Sequence, residues 1–155
     1  MADVRHDTAL DSARAQRADV WRHLVGLEEA LATPVPGRVG VWATTVHDAL
    51  VDLAATFERH IGVTEGPHGL FSAVLDSSPR LDNTVARLKA EHEQITGTLA
   101  SELRAIRGIT DDGDVGPAIE ARERLTDVIR ELLRHRQAGA DLVYEAYAVD
   151  IGVGD

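Results

Sequence analysis

The chain contains no cysteine. That one absence excludes disulfides, thiolate metal sites, iron–sulfur clusters and a cysteine nucleophile. Aromatic residues make up only 4% of the 155 residues, so a core must be built from Leu, Val, Ile and Ala, which favours packed helices. Positive charge is scarce: 16 Lys and Arg stand against 26 Asp and Glu, for a formal net charge of −10. Such a surface repels nucleic acid and anionic membranes, so neither is expected as a partner. No apolar run approaches the roughly 18 residues that a membrane span requires. The N-terminal stretch MADVRHDTALDSARAQRADV has no apolar segment of the secretory type. The expected location is therefore the cytoplasm. Signatures of hydrolytic chemistry are missing as well: there is no nucleophile elbow, phosphate-binding glycine loop or HExxH motif. The acidic loop GITDDGDVG lacks the spacing and final Glu of a calcium-binding EF-hand loop.

What the chain does have is helical periodicity over most of its length. With 44% hydrophobic residues in 155, one domain with a real core is expected. Residues 1–10 are polar and are expected to be peripheral. From about Ser12 to Leu31, Val20, Leu24, Leu27 and Leu31 form one stripe, with His23 at its edge. The stretch Thr33 to Gly37, TPVPG, ends that helix. A second helix is expected from about Val39 to Ile61, with Val46, Leu50, Leu53, Phe57 and His60 on its inner line. Gly66, Pro67 and Gly69 break it, and Leu70 to Leu75 read as a short extra helix or lid. Ser77, Ser78 and Pro79 look like a cap with Pro in the first turn of a third helix, about Arg80 to Arg107. Its stripe is Val85, Leu88, His92, Ile95 and Leu99, with Leu103 or Glu102 next. Pro117 opens a fourth helix carrying Leu125, Val128, Leu132, His135, Gly139 and Leu142, ending near Tyr147. The expected fold is all-α: an up-down-up-down four-helix bundle, with no sheet.

Seven histidines are present. His6 and His68 read as loop residues and His47 as a boundary residue. His23, His60, His92 and His135 each fall on or beside the apolar stripe of a different helix. An imidazole on an apolar face requires a hydrogen-bond partner or a metal. In a bundle, inward groups from facing helices can converge on one ion. Neutral imidazole suits Fe, Zn, Cu and Ni. The alternative is a set of separate core histidines at different depths, each satisfied by its own hydrogen bond.

Three segments carry a family resemblance: HIGVTEGPHGLF at the end of the second helix, AEHEQITGTL in the third, and LLRH followed by DLVYEAYAVDIGVGD at the C-terminus. Over roughly Val20 to Asp155 the chain resembles the hemerythrin-like, or HHE cation-binding, domains. That resemblance implies a four-helix bundle with a non-haem di-iron centre in its core. It puts His60, His92 and His135 at the ligand positions of the second, third and fourth helices. His23 is the candidate from the first, unless Leu24 holds the matching position. The family's bridging carboxylates are depleted here. Thr64 stands where an acid is common, and Glu65 follows it, able to turn inward if the backbone bends at Gly66. The fourth-helix pattern reads His135, Arg136, Gln137, Ala138, Gly139, without its acids, and Arg136 adds positive charge. Thr96 stands where some members carry a second histidine. Among possible substitutes, Glu145 could border the core, and Asp150 and Asp155 lie in the tail. Glu91 and Glu93 are expected to face solvent, and Tyr144 and Tyr147 to be packing residues.

The resulting expectation is a metal-binding protein with iron on His23, His60, Glu65, His92 and His135, binding or sensing O2, NO or peroxide. No catalytic residue is expected, and enzymatic activity extends at most to peroxide or NO chemistry at that iron. Two other readings fit the altered carboxylates: a bundle without a competent centre that serves as an interaction module, and a mononuclear zinc site.

Overall fold

A computed structural model describes residues 2–148 of the chain, so Asp150, Asp155 and the rest of the glycine-rich tail lie outside the described residues. Among those described, every regular element is helical: α1 (Ala2–Ala32), α2 (Val39–Glu65), the short α3 (Leu70–Ser77), a single 3₁₀ turn (Pro79–Leu81), α4 (Asp82–Arg107) and α5 (Gly116–Tyr147). The four long helices pack in a ring, α1 on α2, α2 on α4, α4 on α5 and α5 back on α1, while α3 lies against α1, α2 and α5.

The stripes read from periodicity are the ones that pack. Leu24, Leu27 and Leu31 of α1 are buried with Val46, Leu50, Leu53 and Phe57 of α2. Ile95 and Leu99 of α4, and Leu125, Val128 and Leu132 of α5, close the same cluster. Each full burial of such a side chain stabilises the fold by about 1.5–3 kcal/mol before entropy is counted. A second, smaller cluster sits at the other end of the bundle, where Leu70, Phe71 and Val74 of α3 meet Ala13, Leu81, Val85, Leu88, Leu142 and Ala146. The histidines fall between the two clusters.

Several expectations are corrected. Helix α1 begins at Ala2 rather than near Ser12, which also makes His6 helical. The reason is the second cluster: Ala9 and Ala13 are buried and Leu10 packs beside them, so the early turns have something to lie on. Helix α2 runs one turn beyond Ile61, to Glu65, where the Thr64 hydroxyl donates to the His60 carbonyl and the Gly66 amide donates to Gly62. Neither Ser77 nor Ser78 caps α4; their hydroxyls donate to the carbonyls of Val74 and Ala146, and Pro79 opens the 3₁₀ turn instead. Glu145 and Tyr144 are exposed, so neither borders the core. On α4 the ambiguous stripe position resolves to Glu102, buried and held by Arg124, whose Nε–H lies 3.1 Å from each carboxylate oxygen.

Candidate metal centre

Three of the four stripe histidines meet. One ring nitrogen from each of His60, His92 and His135 lies within 4.8 Å of the others, and all three residues are buried. The ring centroids are 4.7 Å apart for His92 and His135, 5.2 Å for His60 and His92, and 5.9 Å for His60 and His135. Their common depth follows from one residue: Phe57, a turn before His60, touches all three rings, stacked on His60 and edge-on to the other two. Phe71 of α3 stacks on His92 from the far side, 5.7 Å between centroids. The lid helix thus covers the cluster.

The outer nitrogens of two rings are engaged by carboxylates. Glu65 Oε1 lies 2.6 Å from His92 Nδ1, and Glu91 Oε2 lies 2.7 Å from His135 Nδ1. With ionised carboxylates, each Nδ1–H donates, which fixes the tautomer and leaves Nε2 with its lone pair. Each acid serves a neighbouring helix: Glu65 ties α2 to α4, and Glu91 ties α4 to α5. His92 Nε2 is fully buried with no hydrogen-bond partner in the protein, and so is His60 Nδ1. Leaving a buried polar atom unsatisfied costs about 1–3 kcal/mol. Thr64 does not relieve it, because its hydroxyl is spent on backbone carbonyls.

The electrostatics keep the His60 and His92 rings neutral. Burial pushes the His60 pKa down to about 3, helped by the neighbouring His92 and His135 and by Arg17. Burial and His135 lower His92 to about 3 as well, against an opposing pull from Glu91. Neutral imidazole is the form that ligates a metal. Three buried imidazoles converging at one point, with two orphaned ring nitrogens, fit a divalent ion of the kind that prefers nitrogen donors.

The remaining sequence candidates behave differently. His23 does not join the group. It is half-buried, while Leu24, one residue on, is 3% exposed and lines the cavity beside the cluster. One residue is about 100° round a helix, so Leu24 and His23 cannot share that face. Glu65 does turn inward, yet it meets an imidazole N–H and is not among the gathered donors. Glu91, expected to face solvent, is half-buried and bonded to His135. No period marks it, because it sits about 100° off the α4 stripe; its length lets it reach α5. Glu93 is exposed as expected. His47 accepts a hydrogen bond from Arg107 Nε at 3.2 Å, and His68 is exposed between α2 and α3.

A cavity of about 40 Å³ adjoins the three rings, with a mostly apolar lining and with Arg17, Trp21 and Arg136 at its exposed side. No helix among the described residues is long and apolar enough to cross a membrane. No protein family, curated protein sequence or solved structure matches the chain.

Proposed function

We propose that the protein is a metal-binding bundle of the hemerythrin-like kind that holds one divalent ion on His60, His92 and His135. The observation that carries this reading is the meeting of three buried imidazoles at one depth, two of them with a ring nitrogen that nothing in the protein satisfies. An interaction module without a centre would keep its core histidines hydrogen-bonded, at the usual cost of leaving them otherwise.

The donor set favours one ion over two. A bridged pair uses carboxylate oxygens as shared ligands, whereas the nearby acids, Glu65 and Glu91, spend an oxygen each on an imidazole N–H. Iron is the ion that the family resemblance implies. Zinc is the second reading, favoured by the all-nitrogen donor set, which suits zinc with a fourth, open position. When bound, either ion supplies Lewis acidity and a free position for a small ligand of the O2, NO or peroxide kind. The protein's part is to orient His92 and His135 through Glu65 and Glu91 and to keep His60 and His92 neutral by burial. Phe57, Phe71 and Leu24 exclude bulk water from that face.

The direct test is elemental analysis after anaerobic loading with equal iron and zinc. Near one equivalent of metal in total supports the reading, and the ratio chooses the ion. Less than a tenth of an equivalent of either defeats it and leaves the interaction module.

A further inference from the structure

The outer side of the cavity carries chemistry that metal binding leaves unused. Arg17 on α1 and Arg136 on α5 both line it, together with Trp21. Arg136 lies over the Trp21 indole, its guanidinium carbon 4.7 Å from the ring centroid, and Trp21 is 41% exposed. Arg136 and Trp21 are the exposed members of this lining, so they frame the route in from solvent. Arg17 stands deeper, half-buried, and its charge is felt at His60.

Among the described residues, neither guanidinium is matched by an acid: arginine–carboxylate pairs involve Arg14, Arg22, Arg124 and Arg130, not Arg17 or Arg136. The two instead oppose each other. Burial lowers the Arg17 pKa first, and the charges of Arg14 and Arg136 lower it further. In a chain with a formal charge of −10, acids to pair with them are plentiful. Nearby, the carboxylates of Glu65 and Glu91 would balance the charge of a divalent ion held on the three imidazoles. The two guanidinium charges remain over: Arg17 is half-buried against low-dielectric walls, where unmatched charge is costly, and Arg136 stands at the exposed mouth.

We infer that Arg17 and Arg136 form an anion gate, and that the ligand drawn to the open face of the histidine centre is a small monovalent anion of the nitrite or formate class. This rests on the metal reading above and narrows its ligand from any small molecule to a charged one. Size sets the upper limit. One water requires about 10–15 Å³ of such space, so a cavity of about 40 Å³ takes a few heavy atoms and excludes longer carboxylates and nucleotides. Guanidinium groups bind planar oxyanions through paired N–H donors, and the low dielectric of the cavity strengthens the attraction.

The test uses the full chain loaded with cobalt(II), whose visible absorption reports its ligands, and sodium nitrite as the probe. Saturable spectral change with one nitrite per cobalt is expected. Combined Arg17→Gln and Arg136→Gln substitution should raise the nitrite Kd at least tenfold while bound cobalt stays at one equivalent. Arg17→Lys with Arg136→Lys, which keeps the charge but loses the paired N–H donors, should give a Kd between those of the parent and the Gln double variant. Should the Gln double variant fail to fold by circular dichroism, Arg136→Gln alone, at an exposed position, should raise the Kd at least threefold. Unchanged nitrite affinity in the Gln variants at full cobalt occupancy overturns the gate and leaves the metal reading standing. Failure of the parent protein to hold cobalt overturns both.

Discussion

Two carboxylates decide how the imidazoles can act. Glu65 and Glu91 hold the outer nitrogens of His92 and His135 at 2.6 and 2.7 Å, so the inner nitrogens are aimed without being ligands' only support. Outer partners of metal-bound histidines typically contribute about 10–100-fold in affinity. Glu65→Gln and Glu91→Gln should each weaken metal affinity by that order, measured by competition with a chromogenic chelator. His92→Ala or His135→Ala should instead abolish loading, with bound metal below a tenth of an equivalent. Equal losses from the acid and histidine variants would contradict this division of roles. His60 makes a separate prediction for the metal-free protein. Its pKa is about 3 when folded and near the ordinary 6.5 when unfolded. Between those values the unfolded chain takes up a proton that the folded one refuses. The His60 contribution to stability is therefore complete above pH 6.5 and declines as pH falls toward 3, by up to about 1.4 kcal/mol per pH unit, and His92, lowered equally, adds a similar decline. Urea melts at pH 7.0, 5.5 and 4.5 should trace the decline, and His60→Leu should reduce its slope to roughly half, because His92 carries a shift of the same size. A slope equal in both proteins would show that groups other than His60 account for the decline.

The elements were legible to different degrees, and α3 explains most about the site. Its approach is set by Gly69, where a side chain would collide with backbone: a Cβ would meet the Val63 carbonyl oxygen and come within 2.8 Å of that of Thr64. Only a glycine lets the chain turn so closely off the end of α2 and lay Phe71 on His92. Gly69→Ala should cost about 1–3 kcal/mol, as overpacking commonly does, and should shift α3 away from the histidines. The check is a chemical melt paired with metal affinity. Full stability with altered affinity, or the reverse, would break the link drawn between turn and site. Periodicity found all four long helices, because each lays one stripe into one core. It missed the start of α1, whose early turns gain their support from α3 and α5, elements distant in the chain.

At the scale of the whole molecule, the three histidines come from three helices, so an ion held there would couple metal binding to folding. A ligand that binds only the folded state at a hundred times its Kd adds about 2.7 kcal/mol, and each kcal/mol moves the melting temperature of a domain this size by roughly 2–4 °C. Saturating metal should therefore raise the midpoint by about 5–10 °C, and a chelator should reverse it, read by scanning calorimetry. Identical midpoints with metal and with chelator would mean that the ring of helices closes without help from an ion.

Sequence alone determined the class of fold, the core stripes and the placement of His60, His92 and His135 on inner faces, because those follow from a period of 3.6 and the cost of exposing apolar surface. It also marked Arg136 as a positive charge out of keeping with an iron site. Tertiary structure alone decided that these three imidazoles share a depth, that Leu24 and not His23 completes the face, and that Glu65 and Glu91 reach across to neighbouring helices. Periodicity gives the angle of a side chain about its own axis. How far each helix slides along its neighbours, and where a long side chain ends, is set only when the rods pack.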